Sequence, residues 1–170
     1  MILIHTALQS EAQSIIEFYK LQKCNSIPKI YKNNSILVVI SGIGKNNTID
    51  ALQFVFKEYN ISKAINIGIA GCNNQSILIG SLFCTNHTLE NVNYLPLITN
   101  NIVTIKSDED KKYLYDMEGE YFYTICQDNL EEKNIIIFKV VSDYLDDIIL
   151  AKEFVKQLIY KNIKSITKWI

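Results

Sequence analysis

The chain opens on an apolar run rich in branched residues, "MILIHTA" (1–7), and the segments after it switch between two periodicities. Apolar stretches return at 35–44 ("SILVVISGIG"), 63–71 ("KAINIGIAG"), 77–87 ("ILIGSLFCTNH") and 134–141 ("NIIIFKVV"). Their length and β-branched content predict strands, and strands apolar throughout are those covered on both faces. Between them the spacing is helical. "SEAQSIIEFYKL" (10–21) sets Ile15, Ile16, Tyr19 and Leu21 near one face, with Ser10 as its expected N-cap. "NNTIDALQFVFKEYN" (46–60) does the same with Ile49, Leu52, Val55 and Phe56. A third helix is expected to end near Asp128. A last one runs from about Leu145 to Lys164, with Phe154, Val155, Leu158, Ile159 and Ile163 as an apolar stripe among lysines. Weaker strands are expected near 92–98 and 101–106, and a charged loop at 107–112.

Strands alternating with helices predict an α/β fold of three layers, a mostly parallel or mixed central sheet between flanking helices. The 170 residues suit one domain with a proper core, and no repeat, low-complexity segment or linker divides them, so a single domain is expected over 1–170.

Composition then removes several classes of function. A hydrophobic share of 48% with 21% charged residues is that of a globular protein. The net charge of −1 supplies no basic field for a nucleic-acid backbone. All 17 basic residues are lysine, so no guanidinium fork exists for phosphate or carboxylate. Cys24, Cys72, Cys84 and Cys126 are widely spaced and the histidines are His5 and His87 alone, which is no zinc-site pattern. Reduced thiols in a cytoplasmic protein are expected, with no metal and no cofactor. The start lacks the basic region of a signal peptide, and no apolar run is long enough to span a bilayer, so no membrane partner is expected.

In sheets of this kind ligands gather at the carboxyl ends of the strands. The first strand delivers "LQSE" with Glu11, the second "SGIGK", the third "GIAG", and the strand at 134–141 delivers Ser142 and Asp143. Each has a structural reading beside the chemical one. Glu11 in a first helical turn is favoured by the helix dipole, and Asp143 before "YLDDIILAKEF" makes a good N-cap. Gly42, Gly44, Gly68 and Gly71 would serve sharp turns. "SGIGKN" is no phosphate loop, because Val39 stands five before Gly44 and neither Ser nor Thr follows Lys45; nor is it a dinucleotide fingerprint, since Asn47 replaces the third glycine. "YLYDMEGEYF" (113–122) poses a separate puzzle: Asp116, Glu118 and Glu120 alternate with aromatics immediately before "YTIC", the core face of a helix. On spacing alone the function stays open.

Four segments, in order, resemble the nucleoside phosphorylase and nucleosidase superfamily, and most closely the methylthioadenosine/S-adenosylhomocysteine nucleosidases: "ALQSE" (7–11), "SGIGKNN" (41–47), "INIGIAGC" (65–72), and "DMEGE" (116–120) with "VSDYLD" (141–146). The resemblance implies a phosphorylase/hydrolase-like fold and a small-molecule nucleoside as ligand. It implies that Glu118 accepts hydrogen bonds from the ribose hydroxyls while Met117 packs on the sugar. Asp143 acts on the departing purine and Glu11 deprotonates the attacking water. Ala70, Gly71, Ser142 and Lys139 complete the substrate site, and Asp116 and Glu120 are left to face solvent or cap the helix. A carboxylic acid beside the base and carboxylates beside the sugar suit a bond whose cleavage builds negative charge on one and positive charge on the other.

The chain departs from that pattern in three places. Ile69 stands where the superfamily carries Ser or Thr, and Lys139 where it often carries arginine; both departures weaken phosphorolysis more than hydrolysis. Between His87 and Asp116 the chain is shortened, and Tyr94, Tyr113 or Tyr115 remain to stack on a base. A hydrolase of purine-type nucleosides or thionucleosides is the first expectation, a nucleoside phosphorylase the second, and a non-catalytic nucleoside-binding or scaffold protein the third. The resemblance also implies a homodimer, with Tyr94, Leu95, Pro96 and Leu97 as the expected contact.

Overall fold

The computed structural model describes residues 1–106, 110–146 and 148–170. Part of the charged loop expected at 107–112 therefore lies outside the described residues, as does position 147 in the segment expected to open the last helix.

In chain order the elements are β1 (Ile2–Thr6), α1 (Gln9–Tyr19), β2 (Gln22–Lys23), β3 (Lys29–Lys32), β4 (Ile36–Ile40), α2 (Lys45–Glu58) and β5 (Lys63–Cys72). Then come β6 (Leu82–Cys84), β7 (Asn93–Tyr94), β8 (Leu97–Thr99), β9 (Leu114–Asp116), α3 (Gly119–Gln127), β10 (Ile135–Asp143) and α4 (Lys152–Ile166). The sheet runs β2-β3-β4-β1-β5-β10-β6-β7. Its centre, β4, β1, β5 and β10, is parallel, while β3 and β6 add to it antiparallel. A short flap, β9 with β8 beside it, folds antiparallel onto the far end of β5.

Alternation along the central strands explains the layers. Ile4, Val38, Ile65 and Phe138 face α1 and α4, where they pack with Ile15, Leu158, Ile159 and Ile163. Their neighbours Leu3, Leu37, Ala64 and Ile137 face α2 and α3, where they meet Leu52, Val55 and Phe122. Side chains of successive strand residues point to opposite faces, so strands apolar throughout take a helical layer on each side. This is the three-layer α/β arrangement with a mixed sheet that the pattern predicts. Among the described residues no helix is long and apolar enough to cross a membrane. α4 buries Leu158, Ile159 and Ile163 against α1 and the sheet, and Val155 is buried too, although Phe154 of the expected stripe is exposed.

Several boundaries differ from expectation for local reasons. The N-cap of α1 is Leu8, with Ser10 inside the first turn, because the Glu11 carboxylate folds back to take the Leu8 N–H. β5 covers the strand expected at 63–71, so Gly68 and Gly71 lie in extended chain and serve no sharp turn. The run at 77–87 yields only β6, because Gly80 at φ 91 breaks the extended chain. Residues 101–106 form no strand: Ile102, Val103 and Ile105 lie exposed. α4 begins at Lys152 rather than near 145, since Leu145 sits at φ 63 and its N–H is held by Asp143. Asp143 therefore caps no helix. The 94–97 segment does fold onto its own sheet: Leu95 is buried and donates its N–H to Cys84, leaving Tyr94 as the member of that cluster that is half exposed.

Candidate active site

Beyond β1 the chain turns through Ala7 and Leu8 into α1, and Glu11 folds back across that turn. Its Oε2 accepts the N–H of Ala7 at 3.0 Å and of Leu8 at 2.8 Å, and its Oε1 accepts that of Ile69 on β5 at 3.0 Å. The residue is 3% exposed. Burial raises its pKa above the usual carboxylate range, against the pull of the Lys139 charge and the three backbone donors. Gly68 makes this packing possible: a Cβ there would lie 3.0 Å from Glu11 Oε1 and 3.1 Å from Lys139 Nζ.

The acid-rich stretch reaches the same place by the flap. Tyr115 pairs with Gly71 and Leu114 with Cys72, which turns the end of β9 inward. Asp116 is buried there, and the expectation that it might face solvent is overturned. Its Oδ2 meets Lys139 Nζ at 2.6 Å and accepts the Gly119 N–H at 2.8 Å, while its Oδ1 accepts the Thr99 hydroxyl at 2.6 Å. It does cap α3, but it is held inside because Lys139, with 2% of its surface exposed in an apolar strand, requires a counter-charge. Glu120 is exposed, as expected.

Glu118 follows as the N-cap residue of α3, and its Oε1 accepts the Gly44 N–H at 2.7 Å. The loop that presents this donor passes through Gly42 and Gly44 at φ 92 and 91, conformations open to glycine. Burial pushes the Glu118 pKa up to about 7; Asp116 and Glu11 add to the rise, and Lys139 and the Gly44 N–H oppose it.

At the end of β10 the Ser142 hydroxyl lies 2.6 Å from Asp143 Oδ2, and Asp143 Oδ1 accepts the Leu145 N–H at 2.9 Å, so both carboxylate oxygens are fixed. Gly71 leaves the room, since a Cβ there would come within 2.9 Å of Asp143 Oδ1.

Glu11, Glu118 and Asp143 line one pocket of about 190 Å³, with Met117, Ala70, Gly71 and Ser142 between them. Lys139, the remaining residue of the expected site, does not line it; it sits below, behind Gly68. The segment between His87 and Asp116 builds a wall from Val103, Thr104 and Tyr115, while Tyr94 and Tyr113 lie away from the pocket. Leu145, Asp146 and Ile148 close the other side. The lining carries five carboxylates, Glu11, Asp116, Glu118, Asp143 and Asp146, and no cation among the described residues. The volume is below the roughly 300–1,000 Å³ that encloses a whole small ligand, so a larger ligand extends into the mouth.

No protein-family model matches the chain, and no curated protein matches it by sequence. Solved structures do match. A 5'-methylthioadenosine/S-adenosylhomocysteine nucleosidase from Helicobacter pylori, with butyl-thio-DADMe-Immucillin-A, is 15% identical at a TM-score of 0.82, over 99% of this chain and 98% of its own. Futalosine hydrolase of Helicobacter pylori is 16% identical at a TM-score of 0.80, over 99% and 97%. The 5'-methylthioadenosine/S-adenosylhomocysteine nucleosidase of S. pneumoniae, with the transition-state inhibitor MT-ImmA, is 14% identical at 0.77, over 97% and 99%. The chain has the nucleosidase fold. At these identities the likeness is one of fold, and the chemistry rests on the residues above.

On this nucleosidase fold, Asp116 is the buried pocket residue that sequence reasoning left outside the site. The signal lay in Lys139: an ammonium inside "IIIFKVV" must find a buried carboxylate. The raised pKa of Glu118 gives a stability test. Its folded value of about 7 lies above the ordinary 4.5, so the fold holds an extra proton between those values. The stability this group contributes is complete below pH 4.5 and is lost as pH rises through 7. Glu118→Gln, which mimics the protonated form, should match the wild type near pH 4.5 and exceed it at pH 8 by up to ~3 kcal/mol. Urea unfolding at both pH values measures this, and equal stabilities at pH 8 would contradict it.

Proposed function

We propose that this protein is a hydrolase that cleaves the N-glycosidic bond of a purine-type nucleoside or thionucleoside. The observation that carries the reading is the gathering of Glu11, Glu118 and Asp143 around one pocket at the carboxyl edge of this sheet. The reading is supported by neighbours in fold that are nucleosidases, one with butyl-thio-DADMe-Immucillin-A and one with the transition-state inhibitor MT-ImmA.

The roles follow from where charge develops. As the bond from sugar to base breaks, the sugar becomes cationic and the base takes the electron pair. Glu118 accepts the ribose hydroxyls and, with Glu11, places negative charge beside the cationic ring. Met117 packs on the sugar. Glu11 receives a proton from the water that attacks the anomeric carbon, and Asp143 shares a proton with the departing base. The Ile69 side chain offers no hydroxyl, but its N–H holds Glu11 in place.

The electrostatics favour hydrolysis over phosphorolysis. A phosphate dianion would face five carboxylates with no cation in the lining among the described residues, and Lys139 below the pocket is paired with Asp116. The same field disfavours 5′-phosphorylated substrates. We further propose a homodimer acting in the cytoplasm, with the exposed Ile43, Val103 and Ile148 at the pocket mouth covered by the second copy; a mass of one chain by light scattering at micromolar concentration would contradict the dimer.

The test of function is a nucleoside panel incubated with and without phosphate and read by chromatography. Free base should appear without phosphate, and 5′-nucleotides should remain intact. Product only with phosphate would favour a phosphorylase, and binding without turnover a nucleoside-binding protein. Asp143→Asn should lower the rate by ~10²–10⁴-fold while the fold persists. Melting as low as that of a core mutant would make Asp143 structural instead.

A further inference from the structure

Within the apolar centre of β1 stands a fully buried histidine, His5. Its Nδ1 lies 2.7 Å from Asn66 Nδ2 on β5; the amide donates, so Nδ1 accepts and Nε2 carries the ring hydrogen. Nε2 lies 2.9 Å from Ser41 Oγ, which accepts that hydrogen. The Ser41 hydroxyl in turn donates to the Gly42 carbonyl at 2.7 Å. The ring also stacks on Phe122 with centroids 5.5 Å apart. Burial, with the Lys139 charge on β10, holds the His5 pKa down to about 3, so the ring is neutral.

Ser41 and Phe122 belong to the two segments that meet at Glu118. Ser41 opens the loop through Gly42 and Gly44, and the Gly44 N–H holds the Glu118 carboxylate. Phe122 lies in the first turn of α3, and its N–H donates to the Glu118 carbonyl at 2.9 Å. We propose that His5 is a positioning residue for Glu118, pinning the glycine loop through Ser41 and the start of α3 through Phe122. An apolar residue at position 5 would fill the space, but it would leave the Asn66 amide and the Ser41 hydroxyl without their partner. The consequence for turnover rests on the proposed role of Glu118 on ribose; the positioning itself does not.

Amide NMR of the labelled protein tests the positioning without substrate. In the wild type the Gly44 amide should be protected from exchange, and its shift should move with pH as Glu118 titrates. Ser41→Ala and His5→Leu should each speed Gly44 exchange by about tenfold or more, as loss of support for one hydrogen bond to a charged group allows. The pH-dependent movement of the Gly44 shift should collapse in both, while core amides of β1 and β5 exchange as before. A folded variant of either kind with Gly44 exchange and titration unchanged would overturn the proposal. Ser41 is partly exposed, so its variant folds even if His5→Leu does not. With substrate, His5→Leu should raise KM for a ribonucleoside and add nothing further in a Glu118→Gln background; additive effects would also overturn it. If the wild type cleaves no nucleoside, the proposed function falls, while the Gly44 readout still decides this inference.

Discussion

A single buried ammonium governs where the acid of this protein goes. Lys139 projects from the middle of β10, and an isolated charge in such a place costs far more than a fold can offset. Asp116 answers it at 2.6 Å, and that contact draws β9 back onto the end of β5. Glu118 is carried in two residues later, under the Gly44 N–H. On the other side of the lysine, Gly68 stays bare so that Glu11 and Lys139 can approach across it. Removing one partner of such a pair typically costs ~3–5 kcal/mol, because the other is left buried and uncompensated.

One ammonium cannot neutralise three carboxylates. The excess is relieved by protonation, and Glu118 is where it falls within reach of neutral pH, at about 7. In the proposed reaction, the grouping assigned to the cationic sugar is thus only partly charged near neutral pH. A second anion, such as phosphate, would deepen the imbalance. That imbalance is the physical ground for proposing hydrolysis over phosphorolysis.

The sequence is most legible where one physical signal dominates. The central strands are apolar on both faces, and the α2 spacing of Leu52 and Val55 admits one period, so those elements and their layers can be read directly. Glu11 and Asp143 stand out because each lies where a predicted strand ends, whereas Glu118 stands out only through the resemblance carried by "DMEGE". The hairpin of β2 and β3 gives no such signal: its residues are mostly lysine and polar, and only Ile30 is buried. Asp116 is hidden for another reason. Its neighbours Glu118 and Glu120 look the same in sequence, and which of the three is paired depends on a lysine more than twenty positions away. His5 is likewise a non-local case, since its partners Ser41, Asn66 and Phe122 come from three other elements.

The most direct test is the charge state of Lys139, followed through its side-chain nitrogen by NMR as pH is raised. Burial alone would lower the lysine pKa, but Asp116, Glu118 and Glu11 outweigh it and raise the value above the ordinary 10.5. The account predicts a protonated ammonium still dominant at pH 10.5, with its resonance displaced in Asp116→Asn. A neutral amine at pH 7, or a resonance indifferent to Asp116, would contradict it.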